Sequence, residues 1–202
     1  MSKASSPIAR GLGKVFLAQL LSILASLLAS VFQLLSAGEG LLILLLGLLS
    51  LALSVGAAAE EFLGLKLLSP LEEGFRTAYL LSVTSLAVVS LDLLASLFWP
   101  RLLSVSYDEA VYWVLNVAVC FFVIEAACKR LKEQNRPGEA ALGRLALKAV
   151  FLGTLAQAGL TVAEIFLPDT PLEVPMNIVS GLNLCAACVY AVFLGKVRRG
   201  ES

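Results

Sequence analysis

The stretch that decides the fold reads QLLSILASLLASVFQLLS, residues 19–36. It carries no charge, yet two glutamines and four serines are threaded through it. An uncharged apolar run of this length is sufficient to cross a hydrocarbon core of about 30 Å. Extended back to Val15, it exceeds the roughly 7–15 residues of a signal-peptide hydrophobic region. Residues 15–36 therefore read as a first transmembrane helix. At 100° per residue, Ala18, Ser22, Ala25, Ser26, Ala29, Ser30 and Ser36 cluster on one arc with Gln19 and Gln33, while Leu20, Ile23, Leu24, Leu27, Val31 and Leu34 fill the opposite side. In lipid, apolar side chains gain little by meeting one another. Helices there associate through close backbone approach, which small residues allow, and through interhelical hydrogen bonds. Gln19, Ser22, Ser26, Ser30 and Gln33 are accordingly expected to form a helix-packing or partner-docking face. Contact with a solute through Gln19 or Gln33 is the alternative.

The rest of the chain extends this reading. Hydrophobic residues make up 59% of the 202 positions, against roughly 45–50% in a soluble domain. Charged residues, at 15%, fall short of the roughly 25% that a soluble surface carries. Apolar runs fall near Val15–Ser36, Leu41–Ala59, Thr77–Trp99, Val111–Cys128, Leu145–Leu167 and Asn177–Gly195. Turn chemistry separates them: Ala37-Gly38-Glu39-Gly40, Ser69-Pro70, Pro100-Arg101, Arg136-Pro137-Gly138 and Pro168-Asp169-Thr170-Pro171. The expected fold is an all-α membrane protein, a single polytopic domain over residues 1–202 with six transmembrane helices. Residues 60–76, with Leu63, Leu67 and Leu68 set among charges, read as a short amphipathic stretch on the inner surface.

Lys and Arg set the orientation, because they resist translocation. With a cytoplasmic N-terminus, fourteen of the fifteen basic residues fall on inner segments and only Arg101 lies outside. An even number of spans preserves that bias, so both termini are expected in the cytoplasm, with the plasma membrane as the location.

The ends of the odd-numbered helices echo one another: SLLASVF at 26–32, DLLASLF at 92–98 and LTVAEIF at 160–166. Spacings of 66 and 68 residues fit three tandem helical hairpins, all pointing the same way. Chance similarity among segments so rich in Leu, Ala and Ser is the competing explanation. In size and hairpin order the chain resembles small bacterial membrane proteins of the acid-resistance HdeD type, a likeness that rests on no motif.

Ionisable residues inside a membrane mark functional-site candidates. Asp92 stands fifteen residues past Thr77 and seven before Trp99, which places it roughly 10 Å inside the outer boundary. It is either a ligand group facing water or a cation, or a protonated carboxyl that ties its helix into the bundle. Glu164, on a stripe with Gln157 and Thr161, either shares an outward cavity with Asp92 or snorkels to headgroup water. Asn116 and Cys120 align with Trp113 on the fourth helix, and Ser180, Asn183, Ala187 and Tyr190 share a face of the sixth. The candidate substrate- or ion-binding set is thus Asp92, Glu164, Gln157, Asn116 and Asn183. Glu125 stands four residues before Lys129, a spacing suited to a helix ion pair. Glu39, Asp108, Glu109, Asp169 and Glu173 face only Arg101 outside, an imbalance that would draw cations.

Other chemistry is not encoded. The chain has no histidine, which removes the commonest general base and metal ligand. Cys185-Ala-Ala-Cys188 falls mid-span rather than at a helix start, so it reads as two buried apolar cysteines rather than a redox pair. No zinc spacing occurs among the four cysteines, and Gly11-Leu-Gly-Lys14 lacks the spacing of a phosphate loop. No metal or cofactor is expected. A net charge of zero argues against nucleic acid. No nucleophile–base pair stands out, so the chain is not expected to be an enzyme.

Two functions remain open. One is transport or permeation of a cation or small polar solute through a cavity around Asp92. The other is a non-catalytic membrane subunit that docks a partner, or a second copy of itself, through helix one. Six spans, internal termini and small-xxx-small spacing in helix one look like the substrate-binding subunits of energy-coupling-factor vitamin transporters. That likeness implies partner contacts through Ala25 and Ala29. The short outer loops, with little to close over a vitamin, depart from that family.

Overall fold

The computed structural model describes residues 6–35, 40–98, 106–166 and 173–201. They form six α-helices: α1 (Pro7–Leu35), α2 (Gly40–Leu68), α3 (Glu73–Phe98), α4 (Ser106–Glu133), α5 (Pro137–Phe166) and α6 (Glu173–Glu201). Among the described residues, four segments are long and apolar enough to cross a membrane: Pro7–Val31, Leu44–Leu68, Pro137–Ala163 and Val174–Glu201.

The helix ends follow from local chemistry. Ser6 caps α1, its hydroxyl accepting the Ala9 N–H at 3.1 Å, and Pro7 takes the first helical position, where a missing N–H costs nothing. Asn135 ends α4 in the left-handed conformation, φ 56°. The N–H groups of Arg136 and Asn135 turn back to the carbonyls of Leu131 and Lys132, a Schellman closure. Pro137 then opens α5, and Arg136 clamps Glu139 of its first turn. Between α2 and α3 the Leu71 N–H bonds the Leu68 carbonyl across Ser69-Pro70.

The helices pack in chain order, each against the next, and α6 returns to pack against α1, so the bundle closes into a ring. Packing is most extensive within the pair α1–α2, and it is thinnest between α2 and α3, where the Phe62 and Tyr79 rings meet at a tilt, 5.4 Å between centroids. The start of α1 meets the end of α6: the Ser6 hydroxyl donates to the Glu201 carbonyl at 2.9 Å.

Much of the core lies towards this terminus end. Leu12, Leu65, Leu68, Phe75, Leu131, Ala140, Phe193, Leu194 and Val197 are buried there. Towards the far end, large apolar side chains such as Leu44, Leu48, Leu86, Leu155 and Ile178 stand outward. The tightest crossing joins α1 to α2. A β-carbon on Gly64 would come within 2.9 Å of the Gly11 carbonyl oxygen and 3.0 Å of the Val15 backbone nitrogen. Only the absence of side chains lets the two backbones approach so closely.

Two expectations change here. Residues 60–68 do not lie on a surface as a separate amphipathic stretch; they continue α2. Leu63 and Leu67 are exposed, as an amphipathic pattern requires, but Leu65 and Leu68 are fully buried against α1 and the core. Cys185 and Cys188 are also not interior. Both are exposed free thiols on the outside of the bundle, whereas Cys120 and Cys128 are buried.

Candidate functional site

Glu61 follows Glu60 on α2, and the 100° step between them separates two environments. Glu60 faces α1 and pairs with Lys14 at 2.8 Å. Glu61 turns the other way, toward Cys120 of α4 and Tyr190 of α6. Both of those are buried, at 9% and 3% exposure, and Glu61 itself is half-buried. Among the described residues it has no hydrogen-bond or ion-pair partner. Three alternate helices thus bring a carboxyl, a thiol and a phenol to the interior, roughly 10–20 Å along their helices from the terminus end. Each can take part in proton exchange or hydrogen bonding, and a carboxylate can in addition attract a cation. Among the described residues no three potential metal ligands converge.

A second tier lies further out. Asn116, Gln157 and Asn183, on α4, α5 and α6, are half-buried and stand roughly 26–30 Å along their helices from the same end. Asp92 occupies the same level of α3. Its side chain, like those of Glu164 and Gln33, lies outside the described residues, as do the side chains of Glu39, Asp108, Glu109, Asp169 and Glu173. Asn183 packs against Gly153 of α5, which has no side chain to exclude it. Among the described residues the side-chain amides of Asn116, Gln157 and Asn183 find no hydrogen-bond partner. Thr161 donates to the backbone carbonyl of Gln157, not to its amide. Unpaired amides within an apolar bundle are costly unless water or a solute reaches them.

Helix α1 divides its small residues. Ala18 and Ala25 are buried, and the Ala25 carbonyl accepts the Ser50 hydroxyl of α2 at 3.1 Å. Ser22, Ser26 and Ser30 are exposed, and Ser30 bonds only the Ser26 carbonyl of its own helix. Gln19 is half-buried. The two rows diverge for a geometric reason. Steps of four residues carry the serines about 40° round the helix each time, whereas the buried row through Leu12, Val15 and Ala18 advances in threes and winds the other way.

Glu125 is exposed and makes no ion pair with Lys129. Lys129 instead reaches Glu72 at 3.0 Å, and Arg130 reaches the other carboxylate oxygen at 3.2 Å, tying α4 to the start of α3. Glu72 beside it raises the pKa of the Lys129 ammonium above the ordinary 10.5. Glu61 was the residue that sequence reasoning missed. The signal was available: adjacent glutamates on a helix cannot both face the same neighbour.

No family model matches the chain, and neither a characterised protein nor a solved structure is found to match it.

Proposed function

We propose that this chain is a non-catalytic, six-span plasma-membrane protein with both termini in the cytoplasm, and that it passes a cation or small polar solute through its interior. The observation that carries this reading is Glu61. A half-buried carboxyl beside Cys120 and Tyr190, with no basic partner among the described residues, has a reason to be there if a mobile cation or proton visits it. The unpaired amides of Asn116, Gln157 and Asn183, level with Asp92, support a second polar station nearer the outside. Glu164, roughly 40 Å along α5, would stand at the outer mouth. The terminus end, rich in Lys and Arg, suits the cytoplasmic face.

The test is the melting temperature of the purified protein in detergent against a panel of monovalent, divalent and organic cations, for wild type, Glu61→Gln and Asp92→Asn. A bound ligand stabilises the fold by about RT ln(1 + [L]/Kd). Stabilisation by one class of cation, lost in either variant, is the expected result. It should be matched by flux of that cation into proteoliposomes. No shift in wild type together with no flux refutes the reading.

One observation favours a second reading. Ser22, Ser26 and Ser30 are exposed, and in lipid a row of small polar residues is better satisfied by a neighbouring helix than by acyl chains. In that case α1 docks a membrane partner or a second copy. Cysteine at position 26 should then cross-link to that neighbour in native membranes.

A further inference from the structure

At the terminus end, α1 and α6 do not close completely. A pocket of about 350 Å³ remains between them, lined by Phe16 of α1 and by Gly195, Arg198 and Arg199 of α6. Its size falls within the range of small-ligand sites. Two glycines shape it. A β-carbon on Gly195 would lie 3.3 Å from the Phe16 ring, and one on Gly13 would lie 3.4 Å from Nε of Arg198. The Arg198 side chain therefore reaches across α1 at Gly13, and the Phe16 ring forms an apolar wall beside it.

Two of the four residues that line the pocket are arginines. Among the described residues Arg198 has no hydrogen-bond or ion-pair partner. Of the acidic groups of this end, Glu60 pairs with Lys14, Glu139 with Arg136, and Glu72 with Lys129 and Arg130, while Glu201 accepts from the Gln134 amide. Arg10, exposed one turn before Gly13, adds a further positive charge. Arginines in the last turn of a helix also serve as interfacial anchors, but an anchor needs no concave site beside it.

From the pocket towards the far end, the same faces of both helices continue as exposed apolar side chains. Leu17, Leu20 and Leu24 follow Phe16 on α1, and Val192 precedes Gly195 on α6. A basic pocket at the level of the headgroups that opens onto an apolar track has the form of a bound phospholipid. We propose that this pocket binds a phosphate group, held by Arg198 and Arg199, and that its natural source is the headgroup of an anionic phospholipid whose acyl chain lies along Leu17, Leu20 and Val192. The site depends on the membrane setting of the bundle and not on what passes through the interior.

The full chain in detergent would be titrated with dioleoylphosphatidylglycerol, with dioleoylphosphatidylcholine and with inorganic phosphate, reading bound lipid by native mass spectrometry and stability by melting. Phosphatidylglycerol should bind and stabilise the wild type in preference to phosphatidylcholine. Arg198→Gln and Arg199→Gln should each weaken it about fivefold, whereas Arg144→Gln, on an exposed position of α5, should leave it unchanged. Gly195→Leu, which fills the pocket against Phe16 without altering charge, should abolish the preference. Stabilisation by inorganic phosphate equal to that by the lipid, and lost in the same variants, would keep the phosphate site and overturn its lipid source. Equal binding of the two lipids with no effect of phosphate, or undiminished binding in both arginine variants, overturns the proposal.

Discussion

The α1–α2 crossing yields a prediction in which one substitution changes sign with position. Gly64→Ala places a methyl group within 2.8 Å of Val15 Cγ2, 2.9 Å of the Gly11 carbonyl oxygen and 3.0 Å of the Val15 nitrogen. Two of those three atoms are backbone, so the contact is relieved only if the helices separate. Overpacking of this kind costs about 1–3 kcal/mol. Alanine recovers up to about 1 kcal/mol through its better helix propensity. The net loss is on the order of 1–2 kcal/mol, or about 2–8 °C in melting temperature for a chain of this size. Gly159→Ala supplies the control. Gly159 is exposed on α5, and a β-carbon there meets nothing within 4 Å. Only the propensity gain remains, so this variant should melt at or slightly above the wild type. The assay is thermal unfolding of the three proteins in one detergent, followed by near-ultraviolet circular dichroism. If Gly64→Ala melts with or above Gly159→Ala, backbone contact at this crossing is not what joins α1 to α2.

Other outcomes follow from features elsewhere. Glu72→Gln leaves Lys129 and Arg130 without their shared carboxylate and should lower the melting temperature, chiefly through loss of the less exposed Arg130 contact. High salt should shrink the difference, as chemical denaturation at two ionic strengths would show. Because Glu72 raises the pKa of Lys129, the contribution of this pair should be complete below pH 10.5 and fade as pH rises further, which a melting series on the alkaline side would reveal. A membrane-soluble maleimide should label Cys185 and Cys188 in the folded protein and reach Cys120 and Cys128 only after unfolding, read by mass spectrometry of the digested chain. Ser26→Leu should leave the stability of the isolated chain within about 0.5 kcal/mol of wild type, as expected for a surface position; a large loss would mean that the serine row packs inside the bundle.

Six helices were legible because apolar run length and turn residues both report on one segment at a time. Pro7, Pro137 and Asn135 mark helix ends through local backbone chemistry that needs no knowledge of neighbours. What lay beyond reach was how the helices meet. Hydrophobicity separates lipid from water but not lipid from protein, so Leu65 and Leu67 look alike in sequence although one is buried and the other exposed. The same ambiguity misassigned residues 60–68: charges at Glu60 and Glu61 suggest water, yet Lys14 of another helix answers one of them and the bundle interior receives the other. On α1 the small residues were recognised as an arc, but which edge of it turns inward depends on a winding set by partner helices. Asn116, Gln157 and Asn183 could be grouped by helical spacing, whereas bringing Glu61, Cys120 and Tyr190 together required the ring to close.

That closure governs the order in which the bundle can be made. During synthesis α1 finds α2 at once, but its other neighbour, α6, is complete only after Glu201 has been added. At the usual 5–20 residues per second this interval is roughly ten to thirty seconds. Throughout it, the α1 face that α6 will cover, and the pocket at Phe16, are open to lipid or to the insertion machinery. Any factor that holds this face must release it before Ser6 can reach Glu201.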